Sequence, residues 1–545
     1  MLNWPLVYHG AHKGGVSGYT QALALALAER GHRVSTIASG TTYVPAHRPP
    51  GWPARRLPAW LRSRARPLRE PGPCRPGRHA DWFGIGVYEI INSPVLAPSL
   101  LQFNDPLGEL SCPPLEEAFD RILHAERPDV LHVQSLEGFT LGCLERARSR
   151  GCAVVYSLHN YHPLCPQVYL MQGHRLPCTS YAGGRACRGC VPAPDPRLER
   201  RRRAEAFPQE PPPFEATPSD RPAPAGRGRT LALPVLPGSI DHPPPVIEPE
   251  EDIRGTSALL RSLAQGGHWC TPLDPTWQPL DNTPTAEPTE DGPPTDYARR
   301  RRAFLDALNR CQAVHAVSRF VAEKFIAHGL MRERVHTITI GTIAHRIRAR
   351  HAELAFDPPP RTAPGDRPLR LVFIGVNHWY KGLSMLADSL ELLTPELLAQ
   401  VALAVHAAGG RSIEYRFRRL EPRLASLRYG DAYGPQDLPW MCGGQDAGLV
   451  PSVWWDNGPQ TVLEMQANGL PIIGARAGGI PDFVRHEVNG LLFRANDRYD
   501  LAATIARCVR QPELLARLRR NVVAPKTIEQ HAGEIEALYN HAVRS

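Results

Sequence analysis

Of the 57 prolines in this 545-residue chain, 23 fall between Val191 and Arg300. Proline has no backbone N–H and a fixed φ, so a stretch this rich in it interrupts both helical and strand hydrogen bonding. With few periodic apolar positions as well, residues 191–300 are expected to bury little and to be largely disordered. Any fold must therefore be assembled from the two flanks, with the Pro-rich stretch inserted into a domain.

Both flanks alternate short apolar runs with helical patterns. On the N-terminal side, residues 5–8 read as a strand, Gly14-Gly15-Val16-Ser17-Gly18 as a loop and 19–30 as a helix with Leu23, Ala26 and Leu27 on one face, stopping at Gly31. Residues 34–37, 128–133 and 153–157 read as further strands, with a helix over 141–150. Beyond the insertion, 313–318 resumes the same domain. The prolines at 358–360 mark a joint, after which 370–374, 401–406, 447–450 and 470–474 read as buried strands. Strands alternating with helices predict parallel sheets covered on both faces, which bind ligands beyond the carboxyl ends of their strands. The expected domains are 1–190 with 301–356, then 357–525, and a final helix within 526–545 returning to the first domain.

A hydrophobic content of 42% over this length also argues for more than one core. The twelve cysteines are too few and too unevenly spread for a secreted disulfide scaffold. Asn3-Trp4-Pro5 interrupts any secretory signal, and no uncharged apolar run is long enough to span a bilayer, so a cytoplasmic location is expected. The formal charge of +9 is partly local, in Arg200–Arg203 and Arg299–Arg302 beside the Pro-rich stretch, a pattern that reads as solvated linker. These runs lack interleaved aromatics and any nucleic-acid-binding motif, which argues against nucleic acid and leaves peripheral contact with an anionic membrane open.

Function is concentrated between Pro451 and Phe493. Asp456 and Glu464 stand eight residues apart, on a loop running into a helix, so they can reach two parts of one ligand. Between them Asn457-Gly458-Pro459 turns the chain, and Gln460-Thr461 opens a helix whose N-terminus suits an anion. Asn468-Gly469 ends that helix, a buried strand follows, and Gly478-Gly479 turns into another short helix.

This stretch resembles the donor-site signature of the large retaining GT-B glycosyltransferase family that includes glycogen synthases and bacterial mannosyltransferases, the family 4 type. The resemblance implies an α/β GT-B fold, with two Rossmann-like doubly wound domains facing across a cleft. It implies Asp456 near the transferred sugar, in place of the usual Glu, and Glu464 on the ribose hydroxyls. Gly458-Pro459 replaces the usual Phe-Gly. Gly14-Gly15 resembles the family loop that faces the donor phosphates, His159 the histidine near the sugar, and Lys381 the lysine that neutralises the leaving diphosphate. The arginine that usually accompanies this lysine is missing, with Val376 and Asn377 in its place and His378 or Arg411 as candidate substitutes. The implied activity is transfer of a hexosyl group from a UDP-, GDP- or ADP-sugar to a carbohydrate, lipid-linked or small-molecule acceptor, with retention and no cofactor required for catalysis. A GT-B phosphorylase or sugar-phosphate synthase, and a non-catalytic glycan- or partner-binding protein, are the alternatives.

Cys165, Cys178, Cys187 and Cys190 lie together after the His159 loop. Four thiols ending in Cys-x-x-Cys suit a tetrahedral structural zinc, with His162 and His174 as replacement ligands; unliganded or redox cysteines are the alternative.

Overall fold

The computed structural model describes residues 1–7, 15–46, 70–174, 176–179, 181–206, 294–354, 356–430 and 433–545. Gly14 and residues 207–293 of the Pro-rich stretch lie outside them.

The N-terminal domain is built on strands β1 (Ser35–Ser39), β2 (Arg75–Arg78), β3 (Gly86–Ile91), β4 (Val130–Val133) and β5 (Ala153–Leu158). A small hairpin, β6 (Met171–Gln172) and β7 (Leu176–Pro177), stands apart, and β8 (Ala313–Ala316) and β9 (Val335–Thr337) complete the sheet. The orders β1-β3-β2 and β4-β5-β8-β9 are joined by Leu2, which bridges Ile37 and Val133 in parallel. Only β2 runs antiparallel to its neighbour. The pairing thus falls at Leu2, between the two halves of the sheet, rather than at residues 5–7, where Pro5 has no N–H to offer a ladder; Tyr8, the end of the expected strand, lies outside the described residues. The helix Gly15–Glu29 starts earlier than its apolar stripe suggests and buries Leu23, Ala24 and Leu27.

The C-terminal domain holds one six-stranded parallel sheet, β10 (Leu369–Val376), β11 (Val401–Ala408), β12 (Ser426–Gly430), β13 (Ala447–Val450), β14 (Ile472–Ala475) and β15 (Gly490–Phe493), in the order β12-β11-β10-β13-β14-β15. The order reverses at β10, and the crevice at such a switch point is where doubly wound sheets bind ligands. β10 and β13 are buried across their central positions, as expected of strands covered by helices on both faces.

Two segments cross between the domains side by side. Thr342 bridges Thr527, with Thr342 N–H donating to Lys526 O at 3.0 Å and Ile528 N–H to Thr342 O at 3.2 Å. The helix Ile528–Arg544, opened by a Thr527/Gln530 capping box, then packs on the N-terminal domain, where Tyr539 meets His132.

The flanks of the Pro-rich stretch correct the sequence reading. Residues 196–206 form the helix Pro196–Ala206, and the helix Asp296–Asn309 begins within 191–300. The arginine runs are not solvated throughout: Arg203 is buried and donates to Gly40 O at 2.8 Å, and Arg300 and Arg301 are buried. Arg300 reaches Glu109 Oε2 at 2.5 Å and His162 O at 2.9 Å, while His162 Nε2 lies 2.8 Å from Glu109 Oε1. These partners lie far away in sequence, so composition gives no sign of them. Among the described residues no helix is long and apolar enough to cross a membrane.

Candidate functional site

A cavity of about 490 Å³ opens between the two domains. The C-terminal domain contributes Gly375, Lys381, Asp456, Asn457, Gly458, Gln460, Thr461 and Glu464; the N-terminal domain contributes Gly15, Ser17, Glu137, His159 and Asn160. The structure therefore brings together the site residues expected from sequence, apart from Pro459, which is not in the lining but caps the helix behind it, and Gly14.

Lys381 arrives on the loop after β10. Gly382 behind it has φ +77°, and a β-carbon there would overlap the carbonyl oxygen of Pro451. Only glycine allows this approach, which sets the Lys381 loop against the loop after β13. Lys381 Nζ then donates to Asp456 Oδ2 at 3.0 Å, and Ser452 Oγ donates to the same oxygen at 3.2 Å. Burial disfavours the ammonium, but Asp456 and Tyr380 outweigh this and hold its pKa above the ordinary lysine value. The Asp456–Asn457 backbone is braced by Gly478-Gly479: Gly479 N–H donates to Asp456 O at 2.6 Å, and a β-carbon on Gly478 would overlap Asp456.

The helix Gln460–Ala467 opens at the cavity with no side-chain cap; Val462 N–H donates to Pro459 O at 3.0 Å, while the Gln460 and Thr461 N–H groups have no partner among the described residues and can meet an anion. Gln460 Nε2 donates to Gly15 O at 2.8 Å, tying this helix start to that of Gly15–Glu29 across the cleft. Glu464 sits one turn along. Burial pushes its carboxyl up to about 7, only partly opposed by Lys381. Asn457 is 3% exposed and neither end of its amide has a hydrogen-bond partner; the buried Trp454 Nε1 is also unpartnered. Buried polar groups are rarely left so, and both residues line the cavity.

On the opposite wall His159 packs on Tyr19 with ring centroids 4.6 Å apart, and its Nε2 donates to Gln134 Oε1 at 2.7 Å. Burial, then the neighbouring His315, holds its pKa well below the usual histidine value, so it is a neutral hydrogen-bonding group. A chain of hydrogen bonds continues behind it: Gln134 and Tyr539 meet His132 Nδ1, His132 Nε2 meets Ser157 Oγ at 2.7 Å, and Ser157 Oγ meets His315 Nδ1 at 2.7 Å. The sequence gives no sign of this support, because His132 and His315 are lone polar residues in short apolar strands and Tyr539 is one position of an amphipathic helix distant in sequence.

The missing arginine has no replacement among the described lining residues, where Lys381 is the only lysine or arginine. His378 does not serve: it lies 3.9 Å from the Tyr380 ring, and burial lowers its pKa well below normal. Asn377 ties down its own loop through Gly409 O and Ser412 Oγ, and Arg411 starts the helix Arg411–Leu420 outside the lining. Residues 88–94 and 134–138 are mostly buried, with β3 wholly inside the sheet. Among the described residues no three His, Cys, Asp or Glu side chains, those of Cys165, Cys178, Cys187 and Cys190 included, are arranged to hold a metal ion.

Two doubly wound α/β domains, each presenting loops to a shared cleft, define a GT-B protein. Two family descriptions match it in chain order, Glycosyltransferase Family 4 over residues 13–184 and Glycosyl transferases group 1 over residues 368–511. The chain belongs to the family 4 type of GT-B glycosyltransferases. It is 40% identical over 93 residues to a D-inositol 3-phosphate glycosyltransferase of Saccharomonospora viridis, covering 17% of this chain and 21% of that protein. The protein of the same name from Corynebacterium glutamicum is 25% identical over 182 residues, or 32% of this chain and 43% of the relative. The matches thus span less than half the length of these relatives. Among solved structures, sucrose-phosphate synthase from Thermosynechococcus elongatus gives a TM-score of 0.51 at 14% identity, covering 97% of this chain and 93% of that one. HepE of Anabaena, crystallised with UDP and glucose, gives 0.50 at 14% identity, covering 99% and 98%. These structural likenesses concern the fold.

Proposed function

We propose that this chain transfers a hexosyl group from a nucleotide sugar to a hydroxyl of a glycan, lipid-linked or small-molecule acceptor, with retention of configuration. The observation that carries the reading is the convergence, in one cavity, of the Lys381–Asp456 pair, Glu464, the uncapped start of Gln460–Ala467 and, across the cleft, His159.

In this reading Glu464 accepts hydrogen bonds from the ribose hydroxyls. The diphosphate lies against Lys381 and the N–H groups at Gln460-Thr461 and Gly15. Asn457 and Trp454 gain their missing partners from the donor. Breaking the bond between the sugar and the diphosphate builds positive charge on the sugar ring and negative charge on the leaving group. Preorganised donors and a cation stabilise that negative charge where it develops. Asp456 and the neutral His159 hold the sugar, and the departing phosphate takes the acceptor's proton on the same face. No catalytic metal is required. The separation of roles also differs from a glycoside hydrolase, which needs two carboxyl groups flanking the bond as acid and nucleophile or base.

HepE was crystallised with UDP and with UDP-glucose, which makes a uridine donor the first to try. The test is release of nucleotide from a panel of UDP-, GDP- and ADP-sugars with and without acceptors. Turnover of one donor that is lost in Glu464→Ala supports the reading; binding of donors without turnover in every case favours a non-catalytic binding protein. A structural zinc on Cys165, Cys178, Cys187 and Cys190 is a separate proposal that rests on their spacing, and elemental analysis of purified protein finding no zinc would remove it.

A further inference from the structure

The N-terminal wall of the cavity has a distinct charge character. The N-terminal domain lines it with Trp4, Pro98, Ser135, Glu137, Asn160 and Tyr169 and, among the described residues, with no lysine or arginine. Its one carboxylate, Glu137, is 4% exposed. Oε2 accepts from Ser99 N–H at 2.8 Å, and Oε1 accepts from Ser135 Oγ and Asn160 Nδ2, each at 3.2 Å. None of these partners carries a charge. An ionised carboxylate offers about four acceptor positions, so three bonds leave room for one more donor. Beside it Tyr169 continues an aromatic wall across the cleft, with ring centroids 4.7 Å from Tyr380 and 5.2 Å from Trp454. An aromatic face next to a fixed hydrogen-bond acceptor suits a sugar or polyol ring, which has an apolar C–H face and hydroxyl edges.

We propose that Glu137, held by Ser99, Ser135 and Asn160 and flanked by Tyr169, forms an acceptor subsite for an uncharged hydroxyl-bearing ring and rejects acceptors phosphorylated on that ring. The inference rests on the glycosyltransferase reading above. Its physical basis is that a phosphate placed here meets a buried like charge. Among the described residues the only lysine or arginine in the lining, Lys381, is already paired with Asp456 on the far wall. Burying like charges together without a counter-ion is strongly disfavoured, and an anionic acceptor is discriminated against by the repulsive element rather than by lack of fit.

The experiment measures UDP affinity by calorimetry and then, on the UDP-loaded protein, compares binding of matched pairs by saturation-transfer NMR and competition: myo-inositol with inositol 3-phosphate, and glucose with glucose 6-phosphate. At least one neutral member is expected to bind at least about tenfold more tightly than its phosphate. Glu137→Gln is expected to weaken the neutral ligand about tenfold and to narrow its advantage over the phosphate, with UDP affinity unchanged as the check on folding. Asn160→Lys, which sets a cation beside Glu137, is expected to shift preference toward the phosphate. Tighter binding of the phosphorylated members, no binding of either neutral probe, or a ratio that neither variant moves would overturn the inference. Failure of the glycosyltransferase reading shows separately, as absent turnover of every UDP-, GDP- and ADP-sugar.

Discussion

Lys381 Nζ lies 3.0 Å from Asp456 Oδ2, and the two side chains come from loops after different strands, β10 and β13, of one sheet. The pair places the cavity's cation where a diphosphate can meet it while keeping the carboxylate beside it neutralised. Replacing Lys381 by Ala is expected to lower kcat by about 10²- to 10³-fold, the loss typical of one preorganised stabilising group. A steady-state assay with the active donor checks this, and a loss below tenfold would move the charge-stabilising role elsewhere.

Glu464 gives a pH dependence. Its carboxyl titrates near 7 in the folded protein against about 4.5 when solvated, so the unfolded state loses its proton first. Stability from this group is fully present below about pH 4.5 and is lost as pH rises through 7. Glu464→Gln is therefore expected to be more stable than the parent at pH 8, by on the order of 2 kcal/mol once cavity water is allowed for. Donor affinity should move oppositely, since ribose hydroxyls donate best to the ionised form: the parent's affinity falls between pH 8 and 6, and the variant's stays flat. Urea unfolding and donor titrations at several pH values read both effects.

Arg300 and Glu109 test the buried ion pair that anchors the far flank of the Pro-rich stretch. Burial disfavours the Glu109 carboxylate, but Arg300 and His162 outweigh this and lower its pKa to about 2. This stabilisation is present above about pH 4.5 and is lost as pH falls from there toward 2. Arg300→Met removes the charged partner of Glu109 Oε2 and leaves the buried carboxylate with only His162 and Ser99 Oγ, both on Oε1, with an expected cost of about 3 kcal/mol at pH 7. Removing both charges in Arg300→Met/Glu109→Gln should recover much of it, as a double-mutant cycle would read.

The histidines behind the site add a second acid sensitivity. Burial lowers the pKa values of His132, His159, His315 and His531, His315 to about 4. Below pH 6.5 the unfolded chain binds protons that the folded one refuses, so stability falls between about pH 6.5 and 4. The slope is up to about 1.4 kcal/mol per pH unit for each such histidine. Unfolding in this range should take up protons, measurable as a buffer-dependent enthalpy. An unfolding free energy flat from pH 6.5 to 5 would contradict the buried network.

Gly382 tests how Lys381 is delivered. Gly382→Ala forces the loop away from Pro451 and out of its left-handed conformation, with an expected loss of at least tenfold in kcat as the Lys381–Asp456 contact opens. Normal activity in this variant would show that the loop has room to spare.

The α/β architecture and the C-terminal half of the cavity were legible because local pattern carries them. β13 and the helix Gln460–Ala467 coincide with their expected bounds, and Asp456, Glu464 and Lys381 reach one cavity. What stayed hidden depends on contacts distant in sequence. β3 holds Glu89 inside the sheet, where Thr41, Thr42 and His79 reach its carboxylate, so residues 86–91 show no clean alternation. Arg300 looks like any member of a basic run until Glu109, 191 residues away, is found against it. His378 sits next to the expected lysine loop, yet packing turns it into the aromatic cluster.

The paired crossings at Thr342 and Thr527 also constrain how this molecule can open. Two crossing segments tied to each other by backbone hydrogen bonds at one bridge resist swivelling more than a single connecting segment would, so the domains are expected to move relative to each other with restricted freedom. The cavity walls should then separate and meet again along a limited set of paths. Lys381 and His159 would return to a similar mutual position after each cycle.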